Sequence, residues 1–353
     1  MLSMSVDLTP LEGAYLRDLL AQPQAVADTV TGLRGMPLPA ARGILAGCRR
    51  FVLTGLGSSF HALHPLQQRL VRAGHTALMV ETGELVQSLP ALLDHHTVVV
   101  AVSQSGRSAE TVQLIESLAR HRARPYLIGV TNTPDSPLAH GADAVVPLWA
   151  GAEFSVSCKT YLATLVALEW LGDTLVARSS SGFLDEADAV MSAVQDYLAH
   201  WRVHTAQLAA DFNQLRHLFL LGRGVSLAAA GTGALILKES TRFHAEGMSC
   251  PAFRHGPLEM TGRGLHALVF SGDAATLDLN QALVRDIRSA GGRAVLVGEV
   301  SPRGGAFRLP AVPGRWRPVM EMLPVQMLSL ALAALAGREP GRFERATKVT
   351  TTA

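Results

Sequence analysis

The segment from Val98 to Thr111 constrains this chain more than any other. A short β-branched run, Val98-Val99-Val100-Ala101-Val102, leads through Ser103-Gln104-Ser105-Gly106-Arg107-Ser108 into Ala109-Glu110-Thr111. Such a run reads as a strand buried on both faces of a parallel sheet, then a turn, then a helix. Gly106 lets the backbone approach a ligand closely. Three serines stand where the helix begins, beside backbone N–H groups that no intrahelical carbonyl satisfies. Hydroxyls, free N–H donors and the positive end of a helix dipole suit a phosphate ester. The plainer role for Ser105 or Ser108 is to cap the helix. The turn alone leaves the two readings evenly matched.

The rest of the chain separates them. A second glycine–serine turn, Gly55-Leu56-Gly57-Ser58-Ser59, follows the apolar run Phe51 to Thr54. An approximate copy of the arrangement lies downstream, where Leu218 to Leu221 leads into Gly222-Arg223-Gly224-Val225-Ser226. Ser271, in Leu268-Val269-Phe270-Ser271-Gly272-Asp273, follows that second turn at nearly the interval by which Ser103 follows the first. Tyr126 to Val130 and Ala294 to Gly298 form a third matching pair. Strand-terminal glycines recurring in one order and spacing indicate an internally duplicated α/β unit. Only the first copy keeps the serine cluster. Asp273 puts a carboxylate where a phosphate needs donors, so one phosphate site per chain is expected, in the first half.

A chain of 353 residues can hold two domains of ordinary size. Its 48% apolar residues and scarce charge runs indicate a compact globular protein. A net charge of +2 with scattered arginines gives no nucleic-acid surface. The short clusters Arg49-Arg50 and Arg120 to Arg124 read as solvated helix ends. Residues 1–50 hold no concentrated basic recognition helix, which disfavours a DNA-binding regulator. Cys48, Cys158 and Cys250 are odd in number and far apart, as reduced thiols of a cytoplasmic protein would be. No basic segment followed by an apolar stretch opens the chain. The run Leu323 to Ala336 is interrupted by Pro324 and Gln326, which suits a core helix and no membrane span. A dinucleotide fold would need a third glycine after Gly55-Leu56-Gly57, where Phe60 stands.

Helical periodicity runs from Leu11 to Val30, with Arg17 and Asp18 on the exposed face and a break or kink at Pro23. A second helix spans Pro37 to Cys48. The pattern divides the chain into N-terminal helices (1–50), a first α/β domain (51–175) closing with the helix Lys159 to Leu171, and a linker over 172–185. A long helix, Glu186 to Leu215, opens a second domain (186–336). The tail, 337–353, is polar and without helical pattern, which on physical grounds alone favours disorder.

The ordered set Gly57-Ser58-Ser59, Ser103-Gln104-Ser105-Gly106-x-Ser108, Ser157-x-Lys159, Lys238-Glu239, His255-Gly256-Pro257-Leu258 and Lys348-Val349-Thr350 resembles the double sugar-isomerase (SIS) family. That family includes the isomerase half of glucosamine-6-phosphate synthase. The resemblance covers nearly the whole chain. It implies an α/β fold of two tandem SIS domains, each a flavodoxin-like parallel sheet flanked by helices. Ser59, Ser103, Gln104, Ser105 and Ser108 would hold the sugar phosphate, with Ser58 and Ser157 lining the sugar end. Glu239 would move a proton between C1 and C2, and His255 would assist ring opening. Lys348 would reach the substrate from the tail, which the resemblance therefore orders over the active site. It also implies a homodimer in which His255 crosses to the neighbouring subunit.

The chemistry suits these residue types. Moving a proton between adjacent carbons needs one partly desolvated carboxylate. Glu239 lies on the mostly apolar stretch Gly233 to Phe243. Taken without the resemblance, it reads as an exposed helix glutamate, His255 as a solvated loop histidine and Lys348 as a tail lysine. Such chemistry needs no cofactor and no metal. His61, His64, His244 and Glu246 form no recognised ligand set. Two departures bear on the reaction. Ile236 stands where the synthase carries a lysine one turn before its glutamate, and Met1-Leu2 opens the chain without a glutaminase domain. Glutamine-driven synthesis is therefore not expected. Amino-sugar-6-phosphate deamination, giving a ketose 6-phosphate and ammonia, is the expected activity. A fructosamine-6-phosphate deglycase and an aldose–ketose phosphate isomerase are alternatives within the fold. A non-catalytic phosphosugar sensor is the alternative of another class.

Overall fold

The computed structural model describes residues 7–36, 41–120, 123–345 and 347–350. The opening six residues, Pro37–Ala40 of the expected second helix, His121 and Arg122 of the basic cluster, and Ala346 and residues 351–353 of the tail lie outside the described residues. Two compact units are present. One is drawn from residues 24–153, 158–188 and 344–353, the other from 1–23, 154–157 and 189–343.

In the first unit, five strands form one sheet in the order β2-β1-β3-β4-β5. They are β1 (Arg50–Gly55), β2 (Ala77–Glu81), β3 (Thr97–Val102), β4 (Tyr126–Thr131) and β5 (Ala144–Pro147). Every pairing is parallel. The order is that of flavodoxin-like sheets, whose ligands bind beyond the carboxyl ends of the strands. All six residues of β3 are buried, as its unbroken apolar run requires. Val52, Val99, Ala101 and Leu127 point to one face and pack on Leu85, Leu114, Leu118 and Leu138 of the helices Thr82–Gln87, Ala109–Arg120 and Pro137–Gly141. Arg69, on the helix His64–Arg72, ion-pairs with both Glu169 and Asp173 of the helix Lys159–Leu175. That arrangement fixes how the two helices pack.

The second unit repeats the order with four parallel strands, β7-β6-β8-β9. These are β6 (His217–Gly222), β7 (Ala245–Ser249), β8 (Leu265–Phe270) and β9 (Arg293–Val297). Phe219, Leu221, Ala267, Val269 and Leu296 pack on Phe253, Leu283, Val284 and Ile287. The helices Leu227–Thr241 and Arg317–Leu335 pack against each other, and the first of them against β6 and β7. The segment Gly314–Leu335 is longer than the apolar run suggested, and by length and composition could cross a membrane. Its most apolar window is 94% buried within the structure, as a core helix would be.

Several local expectations change. The N-terminal helix breaks at Ala21, leaving Ala14–Leu20 and Gln22–Arg34 with Pro23 in the first turn of the second piece. Asp18 is buried at 4% exposure, because its Oδ2 accepts the Phe154 N–H at 2.9 Å. The closing helix runs on to Leu175, and Ser181–Asp185 adds a short helix within the expected linker. The long helix divides at His200 into Ala187–Ala199 and Trp201–Phe212. Arg50 begins a strand instead of ending a helix, and pairs with Asp94 at 2.6 Å. None of the three cysteines forms a disulfide.

Candidate active site

Parallel pairing assembles the serine turn. Gly55 of β1 pairs with Val102 of β3, and Val102 with Val130 of β4, so the three turns that follow leave the sheet side by side. The Ser103 N–H donates to the Val130 carbonyl at 3.0 Å. The Gln104 carbonyl accepts from the Asn132 N–H at 3.1 Å and the Thr131 hydroxyl at 3.2 Å. Gly106 adopts φ +60°, and a Cβ there would lie 2.7 Å from the Ser136 Cβ, so no other residue closes this turn without displacement. Gly57 enters its turn at φ +54° and starts the short helix Ser58–His61.

The serine oxygens accept N–H groups of their own turn. Ser103 Oγ accepts the Gly106 N–H at 3.1 Å, and Ser105 Oγ accepts the Arg107 N–H at 3.2 Å. Each oxygen acting as acceptor leaves its own proton to donate outward. Ser108 exchanges a 2.7 Å hydrogen bond with the Thr111 hydroxyl, and its carbonyl accepts the Val112 N–H at 3.0 Å, so it stands at the N-cap position of the helix Ala109–Arg120. Ser58, Ser59, Ser103, Gln104, Ser105 and Ser108 are all partly buried.

The tail reaches the same unit. The Lys348 ammonium donates to Glu153 Oε2 at 2.6 Å, and the Thr350 carbonyl accepts the Ala109 N–H at 3.0 Å. The second bond engages one of the first-turn donors beside the serines. Composition favoured disorder here; two directional contacts overcome it over the described residues.

Glu153 is a residue that sequence reasoning missed. Its side chain is fully buried. Oε1 accepts the Cys158 and Thr160 N–H groups at 2.9 and 3.0 Å, and Oε2 accepts the Thr160 hydroxyl at 2.7 Å as well as Lys348. It therefore caps the helix Lys159–Leu175 and holds the tail lysine with one carboxylate. Gln104 and Glu153 border one pocket of about 900 Å³, whose wall includes Asp28, Asn132 and Trp149. The turn's Gln104 and the anchor of Lys348 thus face the same open space.

Ser157, Glu239 and His255 belong to the second unit. Glu239 is partly buried on the helix Leu227–Thr241, between buried Ile236 and Ser240. His255 is exposed at the end of the helix Cys250–Arg254, before Gly256 at φ +139°. Ser271 repeats the Ser103 bond, donating its N–H to Val297 at 2.8 Å. Two residues on, Asp273 Oδ1 accepts both the N–H and hydroxyl of Thr276, at 3.1 and 3.0 Å. A carboxylate occupies this copy's turn. His61 and His64 stack at 6.4 Å, and burial with the neighbouring His61 pushes His64 down to about 4. Among the described residues no three His, Cys, Asp or Glu side chains gather to hold a metal.

The SIS domain model matches residues 44–172 and 211–301. The chain belongs to the SIS domain family. This SIS protein is 28% identical over 339 residues to a glutamine–fructose-6-phosphate aminotransferase (isomerizing) of Pyrococcus horikoshii, covering 94% of the chain and 56% of that relative. It spans about half the length of the curated relatives it matches, including one of the same description from Streptomyces coelicolor, 28% identical over 92% of the chain. In structure it is similar to the C-terminal domain of the Francisella tularensis glucosamine-fructose-6-phosphate aminotransferase, with a TM-score of 0.84, 21% identity, and coverage of 95% and 99%. A glucosamine-6-phosphate deaminase of Thermotoga maritima superposes with a TM-score of 0.76 at 17% identity, over 96% of this chain and all of the other.

Glu153→Gln removes the anionic partner of Lys348 while keeping the side chain's shape. Stability should fall by about 2 kcal/mol in denaturant unfolding. Amide exchange at Ala109, protected through the tail carbonyl, should quicken. Unchanged Ala109 exchange would show that the tail holds without this ion pair.

Proposed function

We propose that this SIS protein is an amino-sugar-6-phosphate deaminase/isomerase of the glucosamine 6-phosphate type. One observation carries the reading: the tail lysine is ion-paired to Glu153, which borders the same pocket as Gln104 of the serine turn. A phosphosugar sensor needs the anion turn but has no use for a lysine held there by a buried carboxylate.

In this reading the phosphate accepts hydrogen bonds from Ser59, Ser103, Gln104, Ser105 and Ser108, with Ser58 and Ser157 toward the sugar. His255 moves the proton between ring oxygen and O1, opening the sugar to its aldehyde. Glu239 removes the C2 proton, leaving an enolamine whose negative charge develops on O1, and returns the proton to C1. The resulting C2 imine takes up water and releases ammonia, leaving a ketose 6-phosphate. Lys348 supplies positive charge toward the developing oxyanion. Glu239 suits its role because partial burial among apolar helix neighbours disfavours a fully solvated carboxylate. Ile236 offers no ammonium beside it, so Lys348 is the cation this mechanism draws on. The protein acts as a homodimer in the cytoplasm, with His255 serving the neighbouring subunit's site.

Glu239→Gln keeps shape and removes basicity. It should abolish exchange of the C2 proton of glucosamine 6-phosphate with solvent deuterium, and with it ammonia release, while substrate still binds. Absence of C2 exchange in the wild type with every hexose and hexosamine 6-phosphate would favour the sensor instead.

The dimer makes a separate prediction. Glu239→Gln and His255→Ala should each be nearly inactive. After random subunit exchange, half the dimers are mixed and each holds one intact site, so an equal mixture should recover about a quarter of wild-type activity. No recovery despite demonstrated exchange would place His255 in its own subunit's site or outside the chemistry.

A further inference from the structure

The carboxyl edge of the second sheet carries a pocket of its own, about 240 Å³. It opens between the Ser271–Asp273 turn after β8, Gly298 after β9, and the start of the helix Arg317–Leu335. This is the edge where ligands of doubly wound sheets bind, small though the volume is for such a site. Leu277, Leu309 and Met320 supply apolar wall.

At the helix side lies Glu321, only 1% exposed. Its Oε1 accepts the Ser226 hydroxyl at 2.8 Å, and its Oε2, equally buried, meets no hydrogen-bond partner among the described residues. A buried carboxyl oxygen left unpartnered is unfavourable in a finished core, and bordering a cavity it points to a missing hydrogen-bond partner. The other charges facing the pocket are the carboxylates of Asp273 and Glu299 and the guanidinium of Arg317. Acid therefore outnumbers base, which repels phosphate and attracts a cation. The described residues include no cluster suited to a bare metal ion, and the apolar wall favours an organic body.

We propose that this pocket is a second ligand site, which takes a small organic ammonium and satisfies Glu321 Oε2 with an N–H donor. The inference is independent of the reaction assigned to the serine turn. Burial pushes the Glu321 carboxyl up to about 8, against the opposing pulls of Ser226 and Arg317. In the empty protein the group therefore holds a proton at neutral pH, and the ammonium displaces it. Below that pKa, affinity should rise about tenfold per pH unit. The sign for stability is opposite. The folded protein retains a proton that a free glutamate, at 4.5, has lost, so the empty pocket loses stability as pH rises from about 4.5 to about 8.

Calorimetric titration of the full chain with cyclohexylamine, cyclohexanol and cyclohexanecarboxylate tests the assignment. The amine should saturate one site per chain at least tenfold more tightly than the alcohol, and the carboxylate should not bind. Amine affinity should increase about tenfold from pH 6.5 to 7.5. Glu321→Gln should weaken amine binding at least tenfold and flatten the fall in thermal stability between pH 5 and 8. If that variant fails to fold, Glu299→Gln, at the exposed rim, should weaken the amine about threefold. The proposal is overturned by absence of saturable amine binding at 20 mM, by equal affinity for amine and alcohol, or by wild-type affinity in Glu321→Gln or Glu299→Gln.

Discussion

The register of three parallel strands is the constraint on which the serine site depends. Val102 lies between Gly55 and Val130, so the turns after β1, β3 and β4 leave the sheet at one level. No antiparallel hairpin could gather three such turns on one edge. Gly106 closes the central turn in a conformation that L side chains rarely adopt, and Ser103 and Ser105 accept its backbone N–H groups. The donors left over are hydroxyl protons and first-turn amides, which together complement an anion. In the proposed reading, phosphate recognition would follow from this backbone geometry before any charged side chain is invoked.

The same geometry is present twice, with different chemistry. Ser103 and Ser271 make the same bond to the neighbouring strand, at 3.0 and 2.8 Å. The copies diverge just beyond it: Ser105 and Asp273 both accept a backbone N–H, but the hydroxyl keeps a proton to donate and the carboxylate has none. A carboxylate at this position disfavours the anion proposed for the serine turn. The raised carboxyl of Glu321 near this second turn is consistent with an edge adapted to another ligand.

What could be read from the sequence was what depends on short-range pattern. The strands β1, β3, β4, β6, β8 and β9, the serine turn, the internal copy and the break before Pro23 announce themselves through periodicity or punctuation, whereas β2, β5 and β7 do not stand out from their surroundings. The missing pieces depend on distant partners. Glu153 sits in Gly151-Ala152-Glu153-Phe154-Ser155, where nothing local marks it, and its roles come from Cys158, Thr160 and Lys348. Asp18 fits an exposed helical face until Phe154 offers it an N–H. Glu321 is hidden within a largely apolar helix, Arg317–Leu335. The tail illustrates the limit best: its composition argues for disorder, and two long-range contacts decide otherwise.

The central claim is that the serine turn recognises a phosphate ester on a sugar. Calorimetric titration with glucosamine 6-phosphate and with glucosamine tests it most directly, since the two ligands differ only in that group. Loss of several charge-assisted hydrogen bonds should weaken the free sugar by at least about 100-fold. Comparable affinities for the two would contradict the account.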